Sequence, residues 1–283
     1  MPASSAKMMA RAREIEVDEV VLDLEDSVVP EAKESARSAA AAALMVGPWK
    51  APVLSVRVNA PRSPWCAADL LALAALPEAP LAVVLPKVES AGDLAFADRL
   101  LDGAEATVLR RGPLRLQALI ETPAGLAAAT EIATSSKRLE ALILGYADLG
   151  AALGRSTRGA QNLDLWLAAQ DAVLGAARVG GLQAIDGPYL GTAPDAGFRA
   201  AAERARDLGF DGKWAIHPSQ LQVLESLFTP TTTELEQAEA VIEALRRAEL
   251  EGSAGAVALN GDMLDEAVAA AAWGILARAG RGR

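Results

Sequence analysis

The sequence predicts an α/β fold: a (β/α)8 TIM barrel whose first strand is short or missing and whose C-terminus forms a helical lid. Short apolar segments alternate with alanine-rich helical segments over most of the chain, which is typical of a parallel sheet with helical crossovers. Several apolar segments close on a charged residue, where a barrel of this type carries its chemistry. The alternation stops near Phe228, so the remaining residues form an additional segment.

The composition limits the class of protein. Of the 283 residues, 52% are hydrophobic and 4% are aromatic, so the core consists mainly of Ala, Leu and Val. The net charge of −10 argues against binding to nucleic acid or to anionic membranes. No apolar run approaches the ~18 residues that cross a bilayer, and no signal peptide is recognisable. The single cysteine rules out an internal disulfide, which favours a cytoplasmic location.

Seven strands are predicted, each from a short apolar run without polar alternation, which is typical of a strand that is buried on both faces. They are residues 19–25, 52–59, 81–88, 116–121, 141–148, 181–189 and 213–218. Helical segments lie between them, at residues 30–44, 67–76, 90–101, 123–134, 163–179 and 195–208, and Ser90 is suited to cap one of them. A barrel needs eight strands, so the first is reduced to the residues after Met1 or is absent. No Gly-x-Gly-x-x-Gly follows a strand, which makes a dinucleotide-binding sheet the weaker prediction.

Two domains are predicted from the change in character after Phe228. Residues 1–228 form the catalytic barrel, and residues 229–283 form a lid or an intersubunit arm. The second segment contains a charged helix over 233–251, a glycine-bearing stretch over 252–261 and an alanine-rich helix that ends near Ala279.

Two carboxylates follow neighbouring predicted strands. Glu121 closes residues 116–121, and Asp148 closes the next strand. Adjacent strands lie about 4.8 Å apart, so the two side chains could share one cation. Two carboxylates with water suit Mg²⁺, which keeps much of its hydration. The alternative is that each acid only caps the helix after it.

Arg57 ends its strand and is suited to bind a substrate carboxylate through its planar guanidinium. The alternative is a structural ion pair with Glu25 or Asp26. Asp23, Glu25 and Asp26 gather three acids at one strand end, which requires a cation or an arginine nearby.

Basic side chains near the N-terminus could form a phosphate-binding rim. Lys7, Lys33 and Arg37, together with Lys87, are the candidates, and the alternative is that they are simply solvated. The only histidine, His217, lies at the end of the last predicted strand. It lacks a partner motif, so a structural role is the better prediction for it.

Ten segments of the chain, in this order, resemble one family. They are residues 18–28 (DEVVLDLEDSV), 56–59 (VRVN), 85–90 (LPKVES), 120–122 (IET), 145–149 (GYADL), 184–189 (AIDGPY), 209–213 (GFDGK), 216–220 (IHPSQ), 228–230 (FTP) and 261–265 (GDMLD). Together they are similar to the HpcH/HpaI aldolase and citrate lyase β-subunit superfamily, in its CoA-ester lyase branch.

The resemblance implies a homotrimer in which the lid of one subunit covers the site of another. It implies that Glu121 and Asp148 hold Mg²⁺, that Glu121 and Arg57 contact the substrate, and that Asp265 is an acid/base presented from a neighbouring lid. The expected partners are an acyl-CoA and a 2-oxo acid, and Glu25 is expected to order metal-bound water. The chain departs from the family at residues 2–7, where the usual arginine is absent, and at Glu266, where proline is common.

The expected reaction is Claisen-type cleavage or formation of a 3-hydroxy-acyl-CoA such as malyl-, citramalyl- or citryl-CoA. Two alternatives stay open. One is a metal-dependent aldolase acting on free hydroxy-oxo acids, and the other is a non-catalytic subunit that retains the fold.

Overall fold

The computed structural model describes residues 1–76, 81–108, 112–155, 162–250, 257–259 and 262–280. The chain separates into two compact units, residues 1–221 and residues 222–283. Among the described residues, no helix is both long enough and apolar enough to cross a membrane.

The first unit is built on a parallel sheet of seven strands in sequence order. The strands are β1 (Glu19–Asp23), β2 (Val53–Arg57), β3 (Leu81–Leu85), β4 (Arg115–Ile120), β5 (Leu139–Leu144), β6 (Gln183–Asp186) and β7 (Gly212–Lys213). Each lies within or beside a predicted apolar run, and β3 is buried along its whole length, as a strand in the middle of a parallel sheet is expected to be. The predicted alternation of strand and helix is therefore confirmed.

The sheet curls into a half-barrel. Val84, Leu119 and Ile143, from three neighbouring strands, form a buried cluster. Val21 of β1, Ile185 of β6 and Trp214 after β7 pack against the same cluster. Strands this far apart in a flat sheet would be separated by several spacings of ~4.8 Å, so only a curled sheet brings these side chains together. A complete eight-stranded barrel with a lid stays a prediction.

A short segment runs beside the outer edge of β1. Pro2 forms an isolated parallel bridge with Asp23. The amide of Ala3 donates to the carbonyl of Asp23 at 2.9 Å, and the amide of Asp23 donates to the carbonyl of Met1 at 2.8 Å. The position predicted for a reduced first strand is thus occupied by a single bridge.

Helices connect the strands. They are α1 (Ala6–Ala12), α2 (Lys33–Met45), α3 (Cys66–Ala74), α4 (Ala91–Glu105), α5 (Pro123–Ala127), α6 (Ala129–Ala133), α7 (Tyr146–Ala152), α8 (Leu167–Gly180) and α9 (Ala196–Leu208). Their buried positions are largely alanine, as the low aromatic content predicts. Fully or almost fully buried alanines of these helices include Ala36, Ala40, Ala97, Ala177, Ala202 and Ala205. Small side chains let the helices lie close to the sheet.

Most predicted bounds differ from the structure by a few residues, and three predicted elements differ most. The strand predicted over 141–148 ends at Leu144, and Asp148 lies in the first turn of α7, where an acid is favoured by the helix dipole. The helix predicted over 123–134 is broken at Ala128, whose backbone leaves the helical region. The strand predicted over 213–218 ends at Lys213, because His217 caps a 3-10 turn that begins at Pro218.

The second unit contains a helical pair and a hairpin. Helix α10 (Leu221–Phe228), in which the division between the units falls, is followed by α11 (Thr232–Leu250) and α12 (Glu266–Arg278). Strands β8 (Val257–Leu259) and β9 (Asp262–Leu264) pair antiparallel. Ala238, Ala272 and Leu276 form the buried cluster between α11 and α12. The glycines at 252, 255 and 261, in the glycine-bearing stretch noted in the sequence, lie outside the described residues.

Candidate metal and substrate site

Charged side chains gather at the C-terminal ends of the strands. They are Asp23 on β1, Arg57 on β2, Lys87 after β3, Glu121 after β4, Asp148 after β5, Asp186 on β6 and Lys213 on β7. In a curled parallel sheet these ends meet at one edge, which is where such folds carry their active sites. This edge is therefore the candidate site of the first unit.

Asp23 and Arg57 face each other directly in the register of β1 and β2. The Nε and Nη2 atoms of Arg57 each donate to one oxygen of Asp23 at 2.7 Å. Burial alone would raise the pKa of Asp23, but these hydrogen bonds and the guanidinium charge lower it to about 2. The pair is therefore ionised on both sides.

This pair changes the role predicted for Arg57. Its planar fork was expected to grip a substrate carboxylate, but Asp23 occupies the Nε and Nη2 side, and Nη1 lies 3.1 Å from Glu25. The structural alternative, an ion pair with a neighbouring acid, is present here. Two N–H hydrogens, one on each terminal nitrogen, remain beyond these contacts.

Lys33 does not lie on a phosphate-binding rim, and that prediction is wrong. Its ammonium donates to the carbonyls of Leu24 and Glu25, both at 2.7 Å, and the residue is buried. The face of Trp65 lies 5.3 Å away. Lys33 therefore fixes the backbone of the loop that carries Glu25.

Arg37 is also absent from the predicted rim. Its Nε donates at 2.6 Å to Asp69, which is fully buried and also accepts from the amide and side chain of Asn59. This network ties α2 and α3 to the end of β2. Lys7, the third predicted rim residue, is exposed on α1.

Glu121 points into the half-barrel. It shares one face of β4 with Leu119, which lies in the interior cluster, because side chains alternate along a strand. The amide of Lys87 donates to its Oε1 at 2.9 Å. A Cβ at Gly145 would lie 2.7 Å from its Oε2, so the carboxylate needs a glycine there. Burial and the charge of Glu25 raise the pKa of Glu121 to about 8.

Lys87 links the acids of the site. Its ammonium lies 2.5 Å from Glu25, 3.7 Å from Asp26 and 3.8 Å from Asp148. Its backbone φ is 52°, in the left-handed region. Sequence reasoning placed Lys87 among rim cations and missed this central position. Lys87 directly follows Leu85-Pro86 at the end of a predicted strand, and this placement could have indicated its position in the site.

The donor set fits Mg²⁺. Glu121 and Asp148 supply hard carboxylate oxygens, and both lie beside Lys87. Gly145 leaves room for the Glu121 carboxylate. Within the described ranges no group of three or more His, Cys, Asp or Glu side chains could hold one ion, and Mg²⁺ is a metal that takes one or two protein carboxylates.

A second buried network, which the sequence did not predict, adjoins α7. The ammonium of Lys213 contacts Asp186 at 2.5 Å, and both side chains are 1% exposed. The Tyr146 hydroxyl also donates to Asp186, and Gln170 donates to Tyr146 at 2.9 Å. Burial and the charge of Asp186 raise the pKa of Tyr146. These contacts anchor the start of α7, two residues before Asp148.

Two remaining candidates have structural contacts. Asp265, in the second unit, caps α12 by accepting a hydrogen bond from the amide of Val268 at 2.9 Å. His217 caps the 3-10 turn at Pro218 and lies 2.8 Å from the hydroxyl of Ser219. Each residue thus stabilises the start of a helical turn, and the acid/base role of Asp265 stays a prediction.

Comparison with known proteins gives consistent matches. A family model described as HpcH/HpaI aldolase/citrate lyase matches residues 1–218. The L-malyl-CoA/beta-methylmalyl-CoA lyase of Cereibacter sphaeroides is 36% identical over 280 residues, or 93% of this chain and 86% of that protein. The citrate lyase subunit beta of Haemophilus influenzae is 38% identical, covering 100% of this chain and 96% of its own. CitE from Mycobacterium tuberculosis, solved with magnesium, acetoacetate and coenzyme A, has a TM-score of 0.75 at 31% identity, covering 99% of this chain and 96% of that one.

Proposed function

Because the chain belongs to the HpcH/HpaI aldolase/citrate lyase family, we propose that it is a Mg²⁺-dependent carbon–carbon lyase acting on a 3-hydroxy-acyl-CoA. It would cleave this ester to an acyl-CoA and a 2-oxo acid, or form it from them by Claisen condensation. One observation carries the proposal. Glu121 and Asp148 both lie against Lys87 at the C-terminal edge of the sheet, beside Arg57 and Glu25.

Glu121 and Asp148 would hold Mg²⁺, which when bound supplies a Lewis acid for the carbonyl oxygen of the 2-oxo acid. Arg57 would donate its remaining N–H hydrogens to the oxygen on which negative charge develops. Asp23 holds the plane of that guanidinium through two hydrogen bonds, so its direction is fixed before substrate arrives. Glu25 would orient water beside the two metal ligands.

Proton transfer is assigned to Asp265. In the condensation direction, a base removes the proton on the carbon next to the thioester, and the resulting electron pair forms the new carbon–carbon bond. In condensation the carbonyl oxygen of the 2-oxo acid takes up a proton from water and becomes the 3-hydroxyl. In cleavage the 3-hydroxyl loses that proton to water, the carbon–carbon bond breaks, its electrons pass to the thioester enolate, and the same group returns the proton to carbon. The assignment follows the family resemblance at residues 261–265.

The finer architecture belongs to the same proposal. We assign residues 1–228 to a complete (β/α)8 barrel and residues 229–283 to a lid that serves a neighbouring subunit of a cytoplasmic homotrimer. The curled seven-stranded sheet and the likeness to CitE over 99% of the chain support the barrel. The family resemblance supports the lid and the trimer.

The test is turnover by the purified full chain with Mg²⁺ and malyl-, citramalyl- or citryl-CoA. We expect at least one ester to yield acetyl-CoA together with glyoxylate, pyruvate or oxaloacetate, each measured by chromatography. Chelation with EDTA should abolish turnover and added Mg²⁺ should restore it. Glu121→Gln should be inactive, whereas Glu131→Gln, the same change at an exposed position of α6, should retain activity.

Two results would contradict the proposal. Cleavage of free hydroxy-oxo acids without any binding of acetyl-CoA would identify a metal-dependent aldolase instead. A folded chain that turns over neither substrate class would point to a subunit that retains the fold without catalysis.

A further inference from the structure

Glu25 lies next to the proposed metal ligands without joining them. Glu25 is 5% exposed, and its buried Oε2 has no hydrogen-bond partner among the residues that the structure describes. Arg57 Nη1 lies 3.1 Å from that oxygen, and the Lys87 ammonium lies 2.5 Å from the other oxygen of the same carboxylate. After burial, the negative charge of Glu25 is the next cause of the raised pKa of Glu121. A third carboxylate with spare acceptor capacity is therefore present beside the pair.

Lys87 separates Glu25 from that pair. Its ammonium binds Glu25 Oε1 at 2.5 Å and lies 3.8 Å from Asp148, so it stands between the two acids. Its amide donates to Glu121. Among the described residues, Lys87 is the only non-glycine with a positive φ, a strained conformation that often accompanies a functional constraint. One strained residue therefore contacts all three carboxylates.

We propose that Lys87 determines the metal specificity of this site by engaging Glu25 in an ion pair and so limiting the protein ligands to Glu121 and Asp148. The inference rests on the metal site of the proposed function. Mg²⁺ retains several waters and takes one or two carboxylates, whereas Ca²⁺ takes six to eight oxygens and gains from an additional carboxylate. Keeping Glu25 paired therefore favours Mg²⁺ and leaves positions for substrate.

Replacing Lys87 by methionine removes the ammonium and keeps a side chain of similar length. In the purified full chain without substrate, we expect isothermal titration calorimetry to show tighter Ca²⁺ binding. The ratio of Ca²⁺ to Mg²⁺ affinity should rise about tenfold, because Glu25 becomes available as a third carboxylate. Turnover supported by Mg²⁺ should fall in the same variant.

Three further proteins separate this effect from a general change of charge. Lys137→Met makes the same change at an exposed lysine beyond the opposite end of the sheet and should leave the affinity ratio unchanged. Lys87→Arg keeps a cation beside Glu25 and should keep the preference for Mg²⁺. Adding Glu25→Gln to Lys87→Met should cancel the gain in Ca²⁺ affinity, because the freed carboxylate is then absent.

An unchanged affinity ratio in folded Lys87→Met would overturn the inference. So would a gain that survives Glu25→Gln, because the gain would then come from the lost positive charge alone. If circular dichroism shows that Lys87→Met is unfolded, Lys87→Gly carries the same expectation, since glycine fits the left-handed backbone. Asp148→Asn tests the underlying site separately: unchanged Mg²⁺ binding in that variant would mean that the proposed metal site is wrong, whatever Lys87 does.

Discussion

Most charged side chains at the carboxyl edge of the sheet contact more than one partner. Asp23 accepts from Arg57 and from two backbone amides, and Asp186 accepts from Tyr146 and Lys213. Removing one member of such a group leaves another buried charge uncompensated, which destabilises a protein more than the pair itself stabilises it. Variants that keep the shape of the side chain are therefore the informative ones at this edge.

The only thiol of the chain illustrates what burial does to a single residue. Cys66 is 1% exposed, and burial together with the charges of Asp69 and Asp93 raises its pKa to about 12. Because the thiolate is the reactive form, the folded protein should react negligibly with iodoacetamide at pH 8, and addition of denaturant should release one equivalent of reactive thiol. Stoichiometric labelling of the native protein, measured by mass spectrometry, would contradict this.

At the scale of the element, the start of α7 depends on a residue without a side chain. A Cβ at Gly145 would lie 2.5 Å from the Cβ of Glu121. Gly145→Ala should therefore displace Glu121, weaken Mg²⁺ binding measured by calorimetry, and lower stability by about 1–3 kcal/mol through overpacking.

A matched change is available in α8. A Cβ at Gly175 would meet no atom within 4 Å, and alanine is favoured over glycine in a helix by about 1 kcal/mol. Gly175→Ala should accordingly leave metal binding unchanged and be neutral or stabilising. Equal metal affinity in both variants would mean that Gly145 is not needed for the position of Glu121.

The elements were predictable where one physical signal dominated. Unbroken apolar runs such as residues 141–144 predicted strands, and Ser90 predicted the start of α4, which its capping box confirms. Asp148 was assigned to a strand because the apolar run continues through Tyr146. The strand gives way to α7 at Gly145, where the backbone lies close to Glu121, a residue 24 positions earlier, and no local pattern records that contact.

The roles of basic residues were predicted less well than the elements that carry them. The spacing of Lys33 and Arg37 indicates one helix face, which α2 bears out, but not what that face meets. Lys33 meets two backbone carbonyls and Arg37 meets Asp69. Strand-end acids were easier to identify, since parallel strands must bring their ends together. The central position of Lys87 was not predicted, because it depends on a left-handed backbone conformation at that residue.

At the scale of the whole molecule, the ion pair of Asp23 with Arg57 makes the free energy of unfolding depend on pH. The folded pKa of about 2 lies below the ordinary value of 3.8. A carboxyl group whose pKa is lowered by folding contributes its full stabilisation at pH values above the pKa of the unfolded chain. That contribution is lost as the pH falls through the pKa of the folded protein. Asp23 should contribute about 2 kcal/mol at pH 7, lost progressively between about pH 5 and pH 2.

Urea unfolding of the wild type and of Asp23→Asn from pH 7 to pH 3 measures this contribution. The difference in unfolding free energy between the two proteins should narrow as the pH falls below about 4. Asp171→Asn, the same change at an exposed position of α8, is the matched control. A difference that stays constant over this range would contradict the prediction.

The proposed assembly predicts that activity can be shared between chains. Arg57→Ala and Asp265→Ala should each be inactive, yet mixing them under conditions of subunit exchange should restore part of the activity. Some mixed sites would combine an intact Arg57 with an intact Asp265 from a neighbour. No recovery, with exchange demonstrated by native mass spectrometry, would mean that Asp265 acts within its own chain or has no catalytic role.

The alanines that line the helices determine which mutations this chain can accumulate. Ala40, Ala97, Ala202 and Ala205 are completely buried, so truncation, the usual way to damage a core, has almost nothing to remove there. Enlargement is the damaging direction, at about 1–3 kcal/mol for each overpacked site. The side chains that these positions accept are therefore limited by a maximum volume. Serine should be tolerated at them, whereas valine and leucine should be selected against.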